Sequence, residues 1–192
     1  MYKKCHGSRS TRRTVLGAGA TLGVAALAGC TNLGGSAPPA AMSLTDGQAC
    51  DVCGMVIEKH PGPDGQIFYQ KNAPEGHDNP ARFDSLKQCL FPYLLEHEQL
   101  GWRTAAVYVT DYSSVEYTVT DEGGSPVISS HPEAKAFAPA ADLSYVVDSD
   151  VEGAMGPDFL PFSNAEDAEA FAAEYGGDVL GFDEIDEGVI GK

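Results

Sequence analysis

The sequence predicts an α+β fold made of two similar strand-strand-helix-strand halves, and three observations carry that expectation. Runs rich in β-branched and aromatic residues alternate with two amphipathic helical stretches. Each helix is entered through a phenylalanine-led turn, Phe83-Asp84-Ser85 in one half and Phe162-Ser163-Asn164 in the other. About 150 residues remain beyond an N-terminal leader and connector, enough for one compact domain or two small halves sharing a core. The recurring order reads as an internal duplication, with halves at about 46–125 and 140–190.

Residues 1–29 read as a signal peptide and not as part of the fold. Lys3, Lys4, Arg9, Arg12 and Arg13 precede an uncharged apolar stretch from Val15 to Ala28. That stretch is shorter than the roughly 20 residues a membrane-spanning helix needs. Arg12 and Arg13, within Ser10-Thr11-Arg12-Arg13-Thr14-Val15-Leu16, resemble a twin-arginine export signal. Leu27-Ala28-Gly29-Cys30 resembles a lipobox, whose cysteine becomes the lipidated first residue. Residues 30–45 are rich in Gly, Pro, Ser and Ala and predict a lipid-anchored flexible linker, leaving 46–192 as the folded domain. One acyl chain holds a protein only reversibly, so stable attachment to the outer face of the cell membrane calls for multiple acylation.

The chain carries 12 Lys plus Arg against 28 Asp plus Glu, a formal charge of −16. Five of the basic residues fall in the leader, so the exported protein is more acidic still. Such a charge repels phosphate and excludes nucleic acid as a natural partner. An acid-rich surface is tolerated best where salt shortens the Debye length to about 3 Å at molar ionic strength, which predicts a halophilic setting.

Within the domain, residues 66–70 predict the first strand. Ser85 is the expected N-cap of a helix, with Gln88 three residues on and Leu86, Cys89, Leu90, Tyr93, Leu94 and His97 on one face. Pro92 is expected to kink it. Residues 104–112 and 143–148 predict strands, Asn164 caps a helix at 165–175 that Gly176-Gly177 stops, and residues 179–182 form the last strand.

The chemistry concentrates in Cys50-Asp51-Val52-Cys53-Gly54-Met55, two thiols and a thioether in six residues. Soft sulfur donors select copper(I), where oxygen donors would suit calcium or magnesium. Met155, flanked by glycine in Gly153-Ala154-Met155-Gly156-Pro157, sits in a loop matched to that of Met55 if the halves correspond, so the two thioethers would converge. Structural zinc would have to recruit Cys89 and a histidine such as His60 or His77, since no second C-x-x-C exists. Cys50 and Cys53 would also serve as a disulfide or a thiol-disulfide redox pair in an oxidising exterior. A thioredoxin-like arrangement, however, would open a helix at the C-x-x-C, whereas Pro61-Gly62-Pro63-Asp64-Gly65 follows here. Cys89, on an apolar helix face, reads as a buried structural thiol, and the histidines at 60, 77, 97 and 131 as surface residues. The scattered carboxylates read as a solvated surface and not as a calcium loop.

These residues together resemble the NosL family of copper-binding lipoproteins encoded with nitrous oxide reductase. The resemblance rests on the lipobox ending in Cys30, Cys53-Gly54-Met55, Arg82-Phe83-Asp84-Ser85 before a helix, Met155-Gly156, and Phe162, Ala168, Phe171 and Gly176-Gly177 near the end. It implies a non-enzymatic copper(I) chaperone that supplies the copper-sulfide centre of nitrous oxide reductase or its maturation machinery. It also implies a fold similar to part of organomercurial lyase, and Cys53, Met55 and Met155 as copper ligands. Cys50 lies outside the family's Cys-Gly-Met core and joins the set through its thiol.

Overall fold

In the computed structural model, residues 37–191 are described. The expected export signal at Arg12 and Arg13 and the lipidated Cys30 lie outside them. Strand β1 (Gly65–Tyr69) is the centre of an antiparallel sheet, flanked by β2 (Ala81–Phe83) on one side and by β3 (Thr104–Thr110) on the other. All five β1 residues are buried, because both of its faces are covered. On one face Gly65 leaves the space that Leu86 and Leu90 of the following helix fill, and a β-carbon there would collide with Leu90. On the other, Gln66 grips the backbone of Met42, accepting its N–H and donating to its carbonyl at 2.9 Å each.

The helix between β2 and β3 starts as expected, with the Gln88 N–H donating to Ser85 Oγ (3.1 Å). Its first turn, Leu86–Leu90, is a π-helical turn: the Leu90 N–H reaches the Ser85 carbonyl at 3.0 Å. Helix α1 (Phe91–Gln99) then continues, with Pro92 in its first turn. A proline has no N–H to give and crowds the carbonyl four residues back. The wide turn falls directly ahead of Pro92, at the place where a kink is expected.

The second half has β7 (Ser144–Val147) in the centre of a three-stranded sheet, paired antiparallel with β10 (Leu160–Phe162) and β11 (Asp178–Gly181). Helix α2 (Ala165–Tyr175) lies between β10 and β11 in sequence, capped by Asn164 Oδ1, which accepts the Glu166 N–H at 3.0 Å. It is terminated where Gly176 turns to φ +76°. Both halves therefore place the first strand centrally and insert a helix between the second and third.

Sequence did not foresee the elements that stitch the halves together. Strand β6 (Phe137–Pro139) extends the first sheet beyond β3. A separate sheet in the order β4-β5-β8-β9 joins β4 (Val119–Glu122) and β5 (Ser125–Ile128) to the hairpin of β8 (Glu152–Gly153) and β9 (Gly156–Pro157), through parallel pairing of β5 with β8. This sheet spans the expected boundary between the halves. Packing does the same, since the Phe91 ring of the first half meets Tyr145 and Phe159 of the second at centroid distances of 5.6 and 5.7 Å.

Two further expectations need correction. Residues 42–45, assigned to the linker, are packed: Leu44 is fully buried, its N–H donating to the Pro132 carbonyl at 2.7 Å. Burying one leucine contributes about 1.5–3 kcal/mol, and the backbone hydrogen bonds of Met42 and Leu44 add to it against the entropy of ordering the segment. The Met55 and Met155 loops also do not correspond. Met155 sits in the β8–β9 hairpin, after the central strand β7 of the second half, whereas Met55 precedes β1, the central strand of the first.

Candidate metal centre

The segment from Cys50 to Met55 is a closed loop. Ala49 and Val56 pair as an antiparallel bridge. Inside it the Cys50 N–H donates to the Met55 carbonyl (2.8 Å) and the Gly54 N–H to the Cys50 carbonyl (3.0 Å). Gly54 takes φ +76°, a left-handed conformation that a side chain would strain, and so the turn requires glycine after Cys53. The loop is fastened to β2 by the Asp51 N–H on the Arg82 carbonyl (2.9 Å) and the Arg82 N–H on Asp51 Oδ2 (2.7 Å).

The sequence Arg82-Phe83-Asp84-Ser85 carries the site from strand to helix. Arg82 holds the loop through its backbone, and Phe83 is fully buried against Tyr93 with ring centroids 5.2 Å apart. Buried Asp84 accepts from the Cys53 thiol at 3.3 and 3.4 Å through its two oxygens. Ser85 then starts the π turn that presents Cys89, whose sulfur lies 3.8 Å from Asp84 Oδ1 and 3.6 Å from Met155 Sδ. Cys50, Cys53, Asp84 and Cys89 each bring one ligand atom, all within 4.8 Å of one another. Cys50 and Cys89 are buried and Cys53 half-buried, whereas Met155, against Cys89, is 42% exposed.

The hairpin that carries Met155 is held by close backbone contact. A β-carbon on Gly62 would lie 2.6 Å from Gly153 Cα, and one on Gly153 would lie 2.9 Å from Asp158 Oδ2. Asp158 in turn accepts the Leu86, Lys87 and Phe159 N–H groups on Oδ1, at 3.0, 2.8 and 2.8 Å. One buried carboxylate thus ties the hairpin to the start of the π turn, fixing Met155 relative to Cys89.

The thiols are unequal. A hydrogen bond from Cys89 lowers Cys50 to about 7, against the opposing effect of burial. The same contact, with burial, pushes the Cys89 thiol far up, and burial pushes Cys53 up to about 12. One S–H on Cys89 faces three acceptors, Cys50, Asp84 and Met155, so the cluster offers more lone pairs than protons. A soft cation meets such a group by displacing the remaining protons, because the thiolate is the ligand.

Of the residues expected at the site, Cys50, Cys53 and Met155 are brought together. Met55 meets the cluster through its backbone, its N–H lying against the Cys53 sulfur and its carbonyl closing the loop. Sequence reasoning set Cys89 aside as a structural thiol and discounted carboxylates, yet the cluster includes Cys89 and Asp84. Among the described residues no histidine belongs to it.

A family model described as NosL matches residues 41–190. The chain belongs to the NosL family. It is 30% identical over 181 residues to the copper-binding lipoprotein NosL of Stutzerimonas stutzeri, covering 91% of this chain and 83% of that one. With the NosL lipoprotein of Achromobacter cycloclastes it shares 32% identity over 139 residues, 72% of this chain and 63% of the relative. The crystal structure of the copper chaperone NosL from Shewanella denitrificans superposes with a TM-score of 0.63 at 33% identity, covering 79% of this chain and 99% of that one. The mixed α/β architecture is therefore that of a NosL protein. These NosL relatives are described as binding proteins and chaperones, not as enzymes.

Proposed function

We propose that this NosL protein is an exported copper(I) carrier, anchored by lipid at Cys30 to the outer face of the cell membrane, that delivers copper for assembly of the copper-sulfide centre of nitrous oxide reductase. The observation that carries the reading is the convergence of three thiols and one carboxylate beside the exposed Met155 thioether. Thiolate and thioether donors select copper(I) over harder ions. Cys50 and Cys53 supply the loop thiolates, Cys89 a third from the helix, and Met155 the thioether, with Met55 completing the family's Cys-Gly-Met motif. Copper is cargo here: it leaves by ligand exchange, the acceptor's donors entering from the exposed Met155 side while the buried thiols release last. No acid-base catalysis is required.

A second reading, structural zinc, is favoured by one feature, the four-donor set of three cysteines and Asp84. Delivery is tested in a denitrifying host lacking this protein. Nitrous oxide reductase should accumulate without its copper-sulfide absorption, wild type should restore it, and Cys53→Ala should not. A fully metallated enzyme in the absence of the protein would contradict the proposal.

A further inference from the structure

Next to the metal loop lies a second concavity of about 470 Å³ that copper binding leaves unused. Its walls include the rings of Tyr93, His97 and Trp102 and the carboxylates of Asp51 and Glu75. The rings form one continuous aromatic surface: His97 stacks on Tyr93 at 3.8 Å between centroids and meets Trp102 edge-on at 4.5 Å. Behind them Tyr69 contacts all three, and its hydroxyl is buried without a hydrogen-bond partner. The His97 Nδ1 sits 2.8 Å from the Tyr93 carbonyl and must donate to it, which fixes the ring.

Aromatic faces attract cations, and carboxylates beside them strengthen the attraction. No lysine or arginine side chain of the described residues fills this one. The only ion pairs among the described residues are His77 with Asp51, and Lys87 with Asp148, so no lysine ammonium or arginine guanidinium comes within 4.0 Å of either carboxylate. Asp51 belongs to the metal loop itself, between Cys50 and Cys53, and its Oδ1 is shared with His77 at 2.7 Å. A group seated in the concavity is therefore held against the backbone that carries two of the site's thiols.

We infer that this aromatic and acidic concavity is a docking pocket for an arginine side chain presented by a partner protein. This rests on the carrier reading for the identity of that partner, the protein that exchanges copper with the site. Arginine is the cation of choice because its planar guanidinium stacks on aromatic faces while its edge donates to carboxylates in a fork. The net charge of −16 supplies the matching long-range attraction for a basic surface. Docking would orient the acceptor's own sulfur or nitrogen ligands over the Met155 rim.

Trp102 is the sole tryptophan of the chain, so its emission reports occupancy of the pocket directly, in metal-free protein. The probe is a blocked tripeptide, acetyl-Gly-Arg-Gly-amide, compared with the same peptide carrying citrulline, the neutral isostere of arginine, and with free arginine. The arginine peptide should change Trp102 emission saturably, the citrulline peptide should not, and free arginine, whose α-ammonium and α-carboxylate offset each other, should bind about as the blocked peptide does. Glu75→Gln, on an exposed turn, should weaken the arginine peptide about two- to fivefold, the range of an exposed ion pair. Equal responses to the arginine and citrulline peptides, no response to free arginine, or an unchanged affinity in Glu75→Gln would each overturn the proposal. Because the assay contains no copper, its failure leaves the carrier reading standing, and loss of copper binding leaves the pocket standing.

Discussion

Asp158 gives the sharpest quantitative consequence of the fold. It is fully buried, and burial raises it from the ordinary 3.8 to about 6 even against the three backbone N–H groups that Oδ1 accepts. Its Oδ2 has no partner and is the atom that would carry the proton. A carboxyl raised in the folded state binds more protons there than in the unfolded chain between about pH 4 and pH 6. Its contribution to stability is therefore fully present below the unfolded value and is lost as pH rises through the folded one. The gap corresponds to about 3 kcal/mol. Asp158→Asn keeps an oxygen for the three N–H groups and removes the titration. Urea unfolding of both proteins at fixed salt, from pH 4 to pH 7.5, should show wild type losing about 3 kcal/mol relative to the variant as pH rises through that window. Asp64, also buried and raised, is present in both proteins; burial is the main cause of its shift and the charge of Asp158 the smallest. A pH-independent difference would refute the reasoning. It would mean that the three N–H groups hold the carboxylate ionised across the whole window.

Four shorter predictions follow from the same geometry. Gly65→Ala drives a β-carbon into Leu90 and should cost about 1–3 kcal/mol in denaturant unfolding, the usual penalty of overpacking. Leu44→Ala should cost about 2–5 kcal/mol, whereas a residue in a loose tether would cost nothing measurable. Met155→Ala, at an exposed position, should leave stability within about 0.5 kcal/mol while weakening copper(I) in a chelator competition. Thiolate absorbance near 240 nm, followed with pH in metal-free protein, should show one cysteine equivalent ionising around pH 7 and vanishing in Cys50→Ser. The other two described thiols should remain protonated until strongly alkaline pH.

The sequence made the two helices, their caps and the central strands legible because each has a local cause. Ser85 and Asn164 cap as their side chains dictate, and α2 runs over the 165–175 span that its apolar face and the glycine pair define. The sheet of β4, β5, β8 and β9 was not legible, because β8 and β9 are two residues each and carry no period to read. Leu44 escaped notice as a lone apolar residue in a connector of small ones. At the site, the C-x-x-C-G-M loop could be read from donor softness and from the glycine that its turn needs. Cys89 could not, since a thiol on an apolar helical face reads as core. What brings its sulfur to Asp84 and Met155 is a π turn ahead of Pro92 together with a tertiary tie through Asp158. Of those, only Pro92 leaves a mark in the sequence.

The central claim is that these sulfurs converge to hold one copper(I). It is tested most directly by anaerobic titration of the reduced, leaderless protein with copper(I) against a competing chelator, at high salt, with zinc run in parallel. The account predicts one tight equivalent of copper(I), preferred over zinc and weakened in Cys53→Ala, Cys89→Ser and Met155→Ala, each shown to be folded. No competitive copper binding by folded protein, or an affinity indifferent to all three substitutions, would contradict it.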